Sequence, residues 1–149
     1  MLVEYWAGAD ALPFSENCAS IHTAAFLATG ARGWTINEFE DLFRRESIFL
    51  LKTENGFLLA DSILDEVEIL VVAVDPSNQR QKIGHALMNK LDETNRCCNI
   101  NRCILEVAED NVAALNLYRA FNYRQFAIRE SYFKTKNGPV AALMMSKTY

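Results

Sequence analysis

Five consecutive apolar residues, Leu70-Val71-Val72-Ala73-Val74, run into Asp75-Pro76 and a polar loop, after which Ile83, Leu87 and Leu91 recur every fourth position. An unbroken apolar run of this length suits a strand covered on both faces, here the end of a strand spanning Glu66 to Val74. Asp75-Pro76 stops it. The spacing by four predicts a helix from about Arg80 to Arg96, with Ala86 beside the apolar face. A buried strand, a loop and a helix in that order restrict the chain to a mixed α/β arrangement.

The flanking segments extend the pattern. Pro13 and Ser15 open a stretch in which Cys18, Ile21, Ala25 and Phe26 follow helical spacing. Thr35-Ile36-Asn37-Glu38 matches a capping box, predicting a second helix whose buried stripe is Ile36, Phe39, Leu42 and Phe43. Ser47 to Lys52 and Phe57 to Leu64 read as two strands around Glu54-Asn55-Gly56, a hairpin turn in residues that tolerate positive φ. Arg102 to Ala108 alternates, with Cys103, Leu105 and Val107 on one side and Ile104, Glu106 and Ala108 on the other. Asn111 to Phe121 reads as a helix capped by Asp110 or Asn111. Tyr123 to Phe133 and Val140 to Lys147 read as strands joined through Asn137-Gly138-Pro139. The predicted order is α, α, β, β, β, α, β, α, β, β. No repeat or linker divides it, so residues 1–149 are expected to form a single domain.

Charge and cysteine content narrow the function. With 19 acidic against 15 basic residues the net charge is −4, which argues against a nucleic-acid binder held by phosphate contacts. A mildly acidic protein suits an amine-bearing substrate. Cys18, Cys97, Cys98 and Cys103 form no C-x-x-C pair and read as reduced thiols in a cytoplasm. With His22 and His85 the only histidines, no metal site is expected. Asn17 to Ala31 is the longest charge-free stretch and falls short of a membrane span of roughly 20 apolar residues. The N-terminus lacks the basic start of a signal peptide.

The loop before the Ile83 helix is the most informative chemically. Where a strand feeds a helix, the first-turn N–H groups and the positive end of the helix dipole converge on one spot that favours anions. Any such junction has this property, so the pattern alone leaves anion binding open. Gln79-Arg80-Gln81-Lys82-Ile83-Gly84, however, resembles the acetyl-coenzyme A motif of the GNAT superfamily, Q/R-x-x-G-x-G/A. Leu105-Glu106-Val107 through Asn111, Ala114, Leu117-Tyr118 and Phe121 resembles the pattern L-E-V-x-x-x-N-x-x-A-x-x-L-Y-x-x-x-G-F of the RimI branch, with Asn122-Tyr123 replacing Gly-Phe. Asn122 preserves the left-handed helix end that glycine would supply. The two signatures cover about residues 66 to 133, and Trp34 to Leu42 echoes an early W-S/T-x-x-x-F segment.

The resemblance implies a GNAT-like fold, a mostly antiparallel central sheet flanked by helices, and transfer of an acetyl group from acetyl-CoA to a primary amine. In the RimI branch that amine is a protein N-terminus. It implies that Val72, Ala73 and Val74 bind the pantetheine arm, and that Arg80, Gln81, Lys82, Ile83, Gly84 and His85 hold the pyrophosphate, with Asn111 a further cofactor contact. Lys82 stands where the family usually has glycine. There a side chain either crowds the phosphate or supplies a cation to it.

Acetyl transfer needs a base to take the ammonium proton and an acid to protonate the departing thiolate. Alternation by itself reads Glu106 as a solvent-facing glutamate, and spacing reads Tyr118 as a core aromatic. The resemblance implies that Glu106 is the base and Tyr118 the acid. Tyr132, within Arg129-Glu130-Ser131-Tyr132-Phe133, resembles the tyrosine of an R-x-x-Y-Y element that shapes the peptide slot. The family's Asp-Ala before the last strand is Ala141-Ala142 here. His22 and His85 are expected in surface or packing roles, and Asp61, Asp65, Glu66 and Glu68 in a solvated turn. Two other readings stay open: a GNAT acting on a small amine or lysine side chain, and a non-catalytic acyl-CoA-binding or interaction protein.

Overall fold

In the computed structural model, which describes residues 1–149, Thr35 opens a helix as its capping box predicts. Its hydroxyl accepts the Glu38 N–H at 3.2 Å, satisfying one of the orphan donors of α2 (Ile36–Phe43). Phe39 and Phe43 are fully buried, whereas Ile36 is 42% exposed, so the buried stripe is narrower than the sequence predicts. Ile36 is the first helical residue, beyond the edge of the core. Before α2 come β1 (Glu4–Ala7), a 3₁₀ turn over Gly8–Phe14, and α1 (Ser15–Phe26). After it come β2 (Ile48–Lys52), β3 (Gly56–Ile63), β4 (Glu66–Val74), α3 (Ile83–Cys97), β5 (Arg102–Ala108), α4 (Val112–Ala120), β6 (Arg124–Thr135) and β7 (Gly138–Thr148).

The strands form one sheet in the order β1-β2-β3-β4-β5-β7-β6, antiparallel except for the parallel β4–β5 pair. Helices α3 and α4 cover one face through Ile83, Leu87, Met88, Leu91, Leu115 and Tyr118. The other is covered by α1 and α2 with Cys18, Ile21, Phe39 and Phe43. Each fully buried Leu or Phe on these faces contributes about 1.5–3 kcal/mol relative to exposure. Helix α3 is also tied to the sheet by a buried ion pair, Lys147 Nζ to Asp92 Oδ2 at 2.6 Å, joined by the Tyr149 hydroxyl donating to Asp92 Oδ1.

Several local expectations are corrected. The strand β1 is absent from the predicted order. The β2–β3 turn uses no positive φ at Asn55 or Gly56. Its three-residue loop, Thr53 to Asn55, is closed instead by the Thr53 N–H donating to the Gly56 carbonyl at 2.9 Å. The helix predicted from about Arg80 begins at Ile83, because Arg80 (φ 64°) and Lys82 (φ 61°) are left-handed and cannot propagate a right-handed helix. Asn122, at φ 69°, ends α4 as predicted.

The Leu70–Val74 run is not covered evenly on both faces. Its residues alternate between buried and half-buried. The register pairs Leu59 with Val71 and Ala60 with Ile69, leaving Leu70 as an extra residue, a β-bulge. Across that bulge the strand's alternation inverts. Val67 and Ile69 pack with α3 and α4, whereas Val71 and Ala73 pack with α1 and α2.

Candidate active site

The bulge coincides with a split in the sheet. Strand β4 pairs β5 only from Glu66↔Arg102 to Ile69↔Leu105. Beyond Leu105, β5 continues with β7 as far as Ala108↔Ala142, and β4 stays with β3 as far as Val74↔Gly56. The two strands part, so one edge of β4 from Leu70 onward faces no neighbouring strand. A cavity of about 670 Å³ occupies the gap, bordered by Leu70, Val71 and Val72 from β4 and by Glu106, Val107 and Ala108 from β5. An unpaired strand edge offers main-chain donors and acceptors to any extended ligand that enters.

At the far end of β4, the loop 79–82 delivers the chain to the head of α3. The first helical bond is Ala86 N–H to the Lys82 carbonyl, and the N–H groups of residues 80–85 make no hydrogen bond within the chain. Successive free amides at a helix start form an anion site. Lys82 holds its left-handed conformation without an ion pair or cap bond. The glycine that the motif retains, Gly84, has no positive φ. A Cβ there would sit 3.2 Å from Leu117 Cδ2, so Gly84 lets α3 and α4 pack closely. Replacing Lys82 by glycine relieves the left-handed strain, less the glycine's own chain entropy, so Lys82→Gly is expected to stabilise the fold by about 0.5–1 kcal/mol. Equilibrium denaturation measures this, and a loss of stability would mean that the Lys82 side chain makes a favourable contact.

The structure brings the two proposed chemical groups to one cavity. Glu106 and Tyr118 both border it, from β5 and α4. The Glu106 carboxylate is partly exposed and lies 3.4 Å from the Arg129 guanidinium. Tyr118 is buried beside Tyr123, ring centroids 6.0 Å apart. Its hydroxyl has no protein partner, yet the only sealed, partnerless side-chain polar atoms belong to Trp6, Asp61, Asn95 and Tyr123, so the Tyr118 hydroxyl opens onto the cavity. Burial pushes the phenol well above its ordinary pKa, so it stays protonated across the neutral range.

The remaining expected residues divide. Val72 and Asn111 border the cavity, and Asn111 also caps α4 by accepting the Ala114 N–H at 3.2 Å. Ala73 points into the α1–α2 core and Val74 packs on the α3 side. Residues 80–85 lie outside this cavity; Gln81 and Ile83 border a separate hollow of about 340 Å³ with Met1, Leu2 and Glu54. His85 is exposed, its ring 5.7 Å from Phe121. Tyr132 is 49% exposed and off the cavity wall, which Phe133 reaches instead. The register explains this. Between Arg129↔Ala142 and Phe133↔Val140, three β6 residues oppose the single residue Ala141, and Ser131 adopts φ 52°. Tyr132 meets the site only through Arg129, whose guanidinium lies 5.3 Å over its ring.

Some features of the site were not expected from sequence. Arg129 is the ion partner of Glu106. The acidic cluster is not one solvated turn: Asp61 is buried against Arg45, Asp65 holds Asn101, and Glu66 pairs with Arg102. Glu68 stands opposite Ile104, two residues before Glu106 on the same face of β5. Partial burial, then the charge of Glu106, holds the Glu68 carboxyl above its usual pKa. His22, read as a surface or packing residue, is buried and borders the cavity together with Phe26 and Trp34. A lone histidine in an apolar helix carries no sequence signal for that placement. No three His, Cys, Asp or Glu side chains gather in a metal-binding group, and no helix is long and apolar enough to cross a membrane.

The chain is similar in sequence and fold to known proteins. The chain is 34% identical over 98 residues to the ribosomal protein bS18-alanine N-acetyltransferase of Escherichia coli K12, a match covering 63% of this chain and 66% of that protein, just under two thirds of the relative's length. It is 35% identical over 69 residues to the N-alpha-acetyltransferase RimI of Mycobacterium tuberculosis, covering 46% and 42% of the two chains. The crystal structure of the Escherichia coli ribosomal-protein-S18-alanine N-acetyltransferase superposes with a TM-score of 0.82 at 26% identity, covering 99% of this chain and 94% of that one. The sequence model of the acetyltransferase (GNAT) family matches residues 16–123, well over half of the chain, and the protein therefore belongs to that family.

Proposed function

We propose that this protein transfers the acetyl group of acetyl-CoA to a primary amine, the α-amino group at a protein N-terminus. The observation that carries the reading is the convergence of Glu106 and Tyr118, from different elements, on the cavity that opens where β4 and β5 part. The bS18-alanine N-acetyltransferases matched by this chain support a ribosomal protein as acceptor. Free thiols at Cys18, Cys97, Cys98 and Cys103 fit a reducing cytoplasm.

The residues fit the co-substrate. The unpaired amides of residues 80–85 suit the pyrophosphate, and the free edge of β4 at Val72 and Val74 suits the amide-bearing pantetheine arm. Bound there, acetyl-CoA supplies an activated thioester. In this reading Glu106 takes the proton of the incoming ammonium, directly or through water, and the freed amine attacks the thioester carbon. The C–S bond breaks, and the Tyr118 hydroxyl gives its proton to the departing thiolate.

A small amine or a lysine side chain would use the same machinery. The absence of the family's Asp-Ala at Ala141-Ala142 and the outward position of Tyr132 favour keeping that reading in view. A non-catalytic acyl-CoA binder has no use for Glu106 and Tyr118 at one cavity.

Acetyl-CoA is expected to raise the melting temperature, because a ligand that binds only the folded state stabilises it by mass action, about 2.7 kcal/mol at a hundredfold excess over Kd. Thermal melts with acetyl-CoA and with free acetate test this, and no shift at millimolar acetyl-CoA would defeat the reading. Lys82→Gly is expected to change acetyl-CoA affinity by less than about tenfold, the lost cation offsetting the regained glycine. A much larger gain, by titration calorimetry, would show that Lys82 obstructs the site.

A further inference from the structure

His22 is 4% exposed, yet one of its ring nitrogens is not used by the protein. The imidazole is stacked between Phe26 and Trp34, centroids 4.6 and 4.9 Å away, with Phe39 edge-on. Its Nδ1 accepts the backbone N–H of Trp34 at 3.0 Å. Gly33 permits that approach: a Cβ there would fall 2.1 Å from Thr23 Oγ1 on α1. An acceptor at Nδ1 fixes the tautomer, leaving the proton on Nε2. Nε2 has no protein acceptor, and it is not one of the sealed partnerless atoms. It therefore opens onto the cavity that the residue borders.

Chemistry restricts what that N–H can do. Burial lowers the imidazole pKa to about 4, so the ring is neutral at physiological pH. With Nδ1 engaged and Nε2 protonated, it is a hydrogen-bond donor and no base. Of the polar side chains bordering the cavity beside it, Thr29 donates to the Phe26 carbonyl, Arg32 to Glu38 and Thr135 to the Gly138 carbonyl, while Lys134 is exposed to solvent. An isolated donor in an apolar wall calls for an acceptor on the ligand, since leaving it unmet is unfavourable. A reactive amine does not need such a donor, but the carbonyl beside a peptide's N-terminal amine accepts one.

Resting on the N-terminal acetyltransferase reading, we propose that His22 is a specificity residue whose Nε2–H donates to the first backbone carbonyl of the acceptor polypeptide. The site then selects peptide amines over amines that lack an adjacent carbonyl.

The test compares two acceptors, a peptide with a free N-terminus and its analogue in which the first carbonyl is reduced to methylene. The comparison uses wild type, His22→Asn and His22→Gln. Asn keeps an oxygen where Nδ1 accepts from Trp34 but removes the Nε2 donor; Gln extends an amide N–H toward the Nε2 position. His22→Asn is expected to lower kcat/KM for the peptide about tenfold and leave the methylene analogue within twofold, with His22→Gln recovering part of the loss. Equal losses for both acceptors would overturn the proposal, pointing to a structural role or a contact with the thioester. No loss for either would overturn it as well. A measurement on the wild type covers variants that fail to fold: the Nε2–H proton resonance is expected to shift on adding the peptide and not the methylene analogue, and shifts of equal size contradict the proposal. If the wild type acetylates no peptide at all, the functional reading fails; if it does and the acceptors respond alike, only the His22 inference fails.

Discussion

Glu106→Gln is expected to lower turnover by a factor on the order of 10² to 10⁴, the usual worth of general acid–base catalysis, with folding and acetyl-CoA binding retained. The substitution is nearly isosteric and removes only the ability to take a proton. It leaves Arg129 without its carboxylate, but that side chain is 49% exposed and water can solvate it. The natural control is Glu68, a second carboxylate on the neighbouring strand. Glu68→Gln is expected to stay within a few-fold of wild type, because Glu68 does not border the cavity. Steady-state kinetics with saturating acetyl-CoA decide between them. If Glu68→Gln is the variant that loses turnover, the proton goes to β4 and the assignment of Glu106 is wrong.

Tyr118→Phe is expected to lower kcat by a factor on the order of 10², the low end for a proton-transfer group. The fold should be indifferent. The hydroxyl makes no bond within the protein, and the ring that packs among Leu115, Cys103 and Tyr123 is unchanged. An unchanged melting temperature with a fallen kcat separates an acid from a core aromatic. A large drop in stability with kcat preserved would identify the packing role instead. The double variant Glu106→Gln with Tyr118→Phe should lose less than the product of the single losses, because both groups serve one transition state.

Much of this site is legible in the sequence where a local rule has one outcome. The bounds of β4 follow from an apolar run stopped by Asp75-Pro76 and those of β5 from alternation, which places Glu106 on the opposite side from Leu105 and Val107. Thr35, Asn111 and Asn122 take the capping roles their residue types favour. What escapes is set by pairing. An apolar run such as Leu70–Val74 reads the same in either register, so the bulge at Leu70, and with it the split that makes the cavity, has no local signature. The three-against-one bulge at Glu130–Tyr132 likewise exchanges Tyr132 for Phe133 at the cavity wall. β1 is four largely exposed residues whose strand character comes from hydrogen bonds to β2. His22 acquires its meaning from Trp34, a contact twelve residues away in sequence.

The central claim, acetyl transfer to a protein N-terminus, is tested most directly by mass spectrometry of two peptides incubated with the enzyme and acetyl-CoA. One peptide has a free N-terminus and no lysine; the other has a blocked N-terminus and an internal lysine. The account predicts that the first gains one acetyl group at a rate proportional to enzyme and that the second stays unmodified. Acetylation of the lysine, with the free N-terminus untouched, would contradict it.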